Sequence, residues 1–221
     1  MAPAEIISIK NAVAIIVVTI GLPGGMVIVA NATWFQDANV VASDGETSDE
    51  FGFALSGLSS STFAVGAYED DDKGYSSGSV YVFTSSNGVS WVQSDKVVAL
   101  DGETGASFGC AVSGLSSSIF SVGADEDDDM GSVYVFTSSN GVSWVQSDKV
   151  VASDGEDSDY FGWAVSGLSN STFSVGAYGD SGIGSNSGSA YVFTSSNGSS
   201  WMQSDKVVAS DGEAYDYFGR A

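Results

Sequence analysis

Residues 33–221 predict an all-β fold made of repeated four-stranded antiparallel sheets. Three observations carry this prediction. A segment of about 55 residues recurs, each copy holds four short runs rich in Val, Phe, Tyr and Trp, and no stretch shows a helical period. The recurrence is read most easily at WVQSDKVVALDGE from Trp91, WVQSDKVVASDGE from Trp144 and WMQSDKVVASDGE from Trp201, with a worn copy, WFQDANVVASDGE, from Trp34.

The elements follow in chain order. Residues 1–32 differ from the rest: Lys10 precedes AVAIIVVTI and a second apolar run that ends in the small-x-small pattern Ala30, Asn31, Ala32. This pattern predicts a secretory signal peptide, with an uncleaved signal anchor as the alternative. Residues 34–43 then read as a partial strand. Within the first full copy the strands are FGFALSG from Phe51, STFAVGA from Ser61, GSVYVFT from Gly78 and SWVQSDKVVA from Ser90. Their connectors are short and rich in Gly, Ser, Asn and Asp. SSNGVS from Ser85 carries the Asn-Gly pair that suits a type I′ turn.

Side-chain alternation orders the strands within each sheet. In VYVF both alternating sets, Val80 with Val82 and Tyr81 with Phe83, are apolar, so the third strand must be covered on both faces. The fourth holds Gln93, Ser94, Asp95 and Lys96, the polar and lysine-bearing sequence that blunts an exposed edge. Twisted sheets with a covered third strand and a polar outer strand, repeated in series, describe β-propeller blades. We expect three complete blades at about 51–100, 108–153 and 161–210, with partial strands at 34–43 and 218–221. That makes an incomplete propeller, and the chain reads as part of a longer one.

The motifs Phe51-Gly52, Phe108-Gly109 and Phe161-Gly162 are each followed by Val-Gly-Ala, at 65–67, 122–124 and 175–177, and then by GSVYVF or GSAYVF. In this they resemble the FG-GAP repeats of integrin α-like propellers, above all the tandem repeats of secreted or surface proteins. The resemblance covers residues 33–221. It implies a propeller used for binding, with ligands met on the face that bears the loops between strands two and three. It also implies a calcium loop between strands one and two, but SGLSSST, SGLSSSI and SGLSNST occupy those places and offer no carboxylate. That calcium site does not carry over.

Charge narrows the function. A formal net charge of −22 excludes nucleic acid and anionic membrane surfaces as natural partners, leaving a membrane only through the N-terminal anchor. With no histidine and one cysteine, Cys110, the chain lacks Ser-His-Asp chemistry, Cys-His chemistry and His/Cys zinc sites. Calcium, which takes oxygen ligands, stays open. In a meander, alternate loops lie at opposite ends, so the loops between strands two and three join the inter-blade connectors at one end. Together these hold 23 of the 28 acids. Two carboxylates about 8 Å apart in water repel by only about 0.5 kcal/mol, but many on one surface add up.

Alternate residues of an extended chain share a side, which makes Asp70 with Asp72 and Asp127 with Asp129 candidate calcium ligands. The competing reading is a solvated, solubilising loop. Asn170 and Asn197 sit in glycosylation sequons on the neutral end, Cys110 fills a core position, and the repeated tryptophans read as inter-blade packing. The expected function is a non-catalytic, secreted or cell-surface binding or adhesion module that contacts a protein or glycan ligand, with calcium as the candidate cofactor. The alternatives are a glycan-active enzyme using paired carboxylates and a structural repeat of a matrix or envelope.

Overall fold

The first blade begins where the short run LSGLS meets the buried, more apolar TFAVGA across a two-residue turn. β1 (Leu55–Ser59) pairs antiparallel with β2 (Thr62–Ala67), and β2 with β3 (Ser79–Thr84), which in turn pairs with β4 (Val92–Val97). The second blade is β5 (Ala111–Ser116), β6 (Ile119–Ala124), β7 (Ser132–Thr137) and β8 (Val145–Val150). The third is β9 (Phe161–Ser169), β10 (Thr172–Ala177), β11 (Ser189–Thr194) and β12 (Met202–Val207). Each sheet runs in sequence order, so all three are simple meanders. This computed structural model describes residues 38–221. Among them the only helical turn is a short 3-10 segment, Asp127–Asp129.

The third strands of blades one and two are buried nearly end to end, that of blade three is buried at alternate positions, and the fourth strands lie at the sheet edge. Two inter-blade cores result. Ala64, Val80 and Val82 of the first blade meet Phe108, Phe120, Tyr134, Phe136 and Trp144 of the second. Val133, Val135 and Val150 of the second meet Phe161, Phe173, Tyr191, Phe193 and Trp201 of the third. Each blade therefore has an aliphatic face and an aromatic face, and aliphatic packs on aromatic. The tryptophans belong to these contacts: Trp144 lies 4.8 Å from Phe120 and Trp201 4.8 Å from Phe173, ring centre to ring centre.

The FG and VGA glycines have a steric cause. A β-carbon on Gly66 would collide with the carbonyl oxygen of Gly109, and one on Gly123 with that of Gly162. Backbone therefore touches backbone between consecutive blades at these places. The FG glycines also adopt φ near +100°, which disfavours any side chain.

Three expectations are corrected. First strands begin later than the Phe-Gly motif in blades one and two, at Leu55 and Ala111, whereas in blade three a register shift between Gly176 and Ala177 lets the ladder reach Phe161 although Gly162 is just as left-handed. The Asn-Gly loops are not two-residue type I′ turns: β3 ends at Thr84 and β4 begins at Val92, and of the pair only Gly88 has positive φ. Asn87 instead uses its side-chain oxygen to accept the N–H groups of Val89 and Ser90. At the chain ends, residues 38–42 form no strand and Phe218 makes a single bridge to Gly188. Residues 1–37, including the signal or anchor, lie outside the described residues. No helix among those described is long and apolar enough to cross a membrane.

Candidate functional site: a lysine-centred acidic end

Parity places the loops as expected. Asp44, Glu46 and Asp49 of the connector before blade one line a pocket of about 160 Å³ with Asp70, Asp71 and Asp72 of the β2–β3 loop. Glu103 pairs likewise with Glu126, Asp127, Asp128 and Asp129 around about 250 Å³, and Asp154, Glu156 and Asp159 with Asp180 around about 210 Å³. The opposite end is neutral. A pocket of about 490 Å³ there is lined by serines, threonines, Asn140, Gly141 and Val142, without a charged side chain.

One base sits in the middle of each acidic group. Lys96, on the edge strand, places Nζ 2.9 Å from Asp44, 3.0 Å from Asp70 and 2.6 Å from Asp72. Lys149 lies 2.9 Å from Asp101, 2.8 Å from Asp127 and 3.0 Å from Asp128, and Lys206 lies 2.7 Å from both Asp154 and Asp180. A buried tyrosine completes each cluster. Tyr81, Tyr134 and Tyr191 donate their hydroxyls to Asp70, Asp127 and Asp180, while the ammonium rests about 5 Å above the ring centre. Each cluster thus ties three separate segments together: the incoming connector, the β2–β3-type loop and the outer strand.

Protonation equilibria reflect this arrangement. Burial raises the Asp70 carboxyl, but hydrogen bonds from Lys96 and Tyr81 more than offset it and hold it below its ordinary range. The bond from Lys96 likewise lowers Asp44. Burial alone would depress Lys96, yet the bonds to Asp72, Tyr81, Asp44 and Asp70 raise it overall. Asp159, buried and facing Asp180, is pushed up, chiefly by desolvation.

The predicted calcium ligands have other partners here. Asp70 and Asp72 do converge, but on the Lys96 ammonium. In the second blade the pair is Asp127 with Asp128, because a loop four residues shorter coils into the 3-10 turn. Asp129 lines the same pocket but is not among the carboxylates paired with Lys149, and its backbone carbonyl accepts from the Ser158 N–H. The space a calcium ion would need between those oxygens is filled by an ammonium, so the donor sets at the lysine do not fit calcium. Among the described residues no group of three or more acidic side chains is arranged to hold a metal. Asn170 and Asn197 are both exposed, in loops of the neutral end. Cys110 is buried, its thiol directed at the Gly162 carbonyl and raised by burial.

Sequence reasoning treated the lysines only as guards of an edge. The signal was available: three of the chain's six bases stand at one repeat position, always after Ser-Asp, in a molecule with 28 acids.

Serial four-stranded meanders, an acidic end and a neutral end define a repeat module of the binding type. Residues 34–83, 91–136 and 144–193 match the FG-GAP repeat, and the chain belongs to that family. FG-GAP repeats occur in integrin α-like propellers and in extracellular and surface proteins, typically as binding or structural units. No curated protein sequence matches the chain.

Proposed function

We propose that this chain is a non-catalytic binding module of a secreted or cell-surface protein, that it serves adhesion or ligand recognition, and that its acidic end is the contact surface. The observation that carries this reading is the sorting of charge: each connector meets a β2–β3-type loop in a carboxylate-lined pocket, while the other end is uncharged. The lysines neutralise only the innermost oxygens. Glu46, Asp71, Glu103, Glu126 and Asp129 remain exposed around them. The ligand of matching chemistry is a basic protein surface, approached by long-range attraction that salt weakens.

The reading draws on no catalyst. The innermost carboxylates are committed to lysine and tyrosine, and Asp49 and Asp159 accept the backbone N–H groups of Glu46 and Glu156. Nor does it draw on calcium at the lysine clusters. Binding of the purified chain to cells and to immobilised matrix, at rising salt, tests the proposal. Glu46→Gln with Asp71→Asn and Glu126→Gln should weaken binding at least about tenfold, a loss of about 1.4 kcal/mol. Unchanged binding by that variant would sink the proposal.

A further inference from the structure

The neutral end carries an open cleft between the first two blades. It encloses about 490 Å³, within the range of about 300–1,000 Å³ typical of small-ligand sites. Ser59, Ser61 and Thr62 of the β1–β2 hairpin line one side, and Ser117, Ser139 and Asn140 of the second blade line the other. Thr62 is only 6% exposed, and its hydroxyl has no hydrogen-bond partner among the described residues. A buried hydroxyl left unpaired is costly, so it marks a place where a ligand can supply the missing bond. The second blade's wall is set in advance. Asn140 Oδ1 accepts the N–H groups of Val142 and Ser143 at 2.8 and 2.9 Å, and Ser138 Oγ donates to the Ser143 carbonyl at 2.6 Å. These bonds hold the loop while the Asn140 NH2 and the Ser117 and Ser139 hydroxyls stay without partners among the described residues.

The next cleft, between the second and third blades, has the same parts but is filled. There Ile119 stands where Thr62 stands in the first, each opening the second strand of its blade. A β-carbon on Gly198 would lie 2.8 Å from Ile119 Cδ1, whereas one on its counterpart Gly141 would meet nothing within 4 Å. An isoleucine thus occupies in one cleft the space that a threonine leaves open in the other.

The lining selects a ligand by its charge and by its hydrogen bonds. No charged side chain lines the cleft, so an ion entering it would lose hydration without gaining a counter-charge, and the net charge of −22 repels anions in particular. Each hydroxyl can both donate and accept, and the amide NH2 donates. Val142, which is 45% exposed, adds an apolar patch. We propose that this cleft binds a neutral saccharide, whose hydroxyls pair with those of Thr62, Ser117 and Ser139 and whose C–H face meets Val142. The site is separate from the acidic contact surface and does not depend on it.

Saturation-transfer NMR of the full chain with neutral oligosaccharides of glucose, galactose, mannose and N-acetylglucosamine, followed by calorimetry on those that respond, tests the inference. At least one should bind, at a single site and equally well at low and high salt. Thr62→Ile copies the residue that the second cleft already accommodates, so the fold should be kept, as circular dichroism can verify, and affinity should fall at least about tenfold. Ser117→Ala with Ser139→Ala changes only exposed side chains and should weaken binding at least about threefold. The acidic-end variant, Glu46→Gln with Asp71→Asn and Glu126→Gln, should bind the saccharide as wild type does, which separates this site from the proposed protein contact. No response from any saccharide, wild-type affinity in either cleft variant, or loss of saccharide binding in the acidic-end variant would each overturn it.

Discussion

At the scale of single residues, the acidic surface is held by its few bases. Asp127 is 1% exposed, and Lys149 is the ammonium that compensates it. Lys149→Met should therefore destabilise the protein by roughly 3–5 kcal/mol, because it strands a buried carboxylate, while Asp71→Asn on the exposed rim should cost almost nothing. Urea denaturation of both variants checks the contrast. Equal and small losses would mean that the clusters are surface ion pairs of little consequence. Glycine acts just as locally. Gly123→Ala would drive a methyl into the Gly162 carbonyl and should cost roughly 3 kcal/mol, whereas Gly57→Ala, with open space around its β-carbon, should be far milder.

At the scale of elements, the outer strand is the one that joins blades. Its aspartate reaches across to the backbone of the next blade's tryptophan, and its lysine gathers both acidic loops. Asp148→Ala should thus cost about 1–3 kcal/mol by leaving the Trp201 N–H without its acceptor. Hydrogen exchange at the Trp201 amide is the direct reading, and unchanged protection there would contradict the assignment. Much of this level was legible in the sequence. Valine and aromatic alternation in VYVF identified the covered third strand, and the polar QSDK run identified the edge. The turn type at Asn87-Gly88 was not legible, because a side-chain oxygen that accepts two backbone N–H groups stabilises a longer loop as well as a left-handed backbone stabilises a short one.

At the scale of the whole molecule, charge sorting sets the response to pH. Asp44, Asp70, Asp101, Asp154 and Asp180 have lowered pKa values in the fold. Their contribution is therefore complete above the ordinary value of 3.8 and is lost as pH falls through the depressed values. The lysines are raised, so theirs is complete below the ordinary 10.5 and fades above it. Asp125 and Asp159, raised by burial, work in the opposite sense and favour the fold as they take up protons on the way down to 3.8. Denaturation midpoints across pH should accordingly show a loss beginning below about pH 4. A loss already present at pH 6 would mean that different groups control stability.

The linear sequence determined the repeat, the strand order within each sheet and the sorting of acids to one end, because side-chain alternation and loop parity are properties of the chain alone. Tertiary structure decided which carboxylates meet and what they meet. Lys96 and Asp44 stand 52 positions apart and touch only when a blade closes on the connector before it. At that point the ammonium fills the space among the oxygens where a calcium ion had been expected.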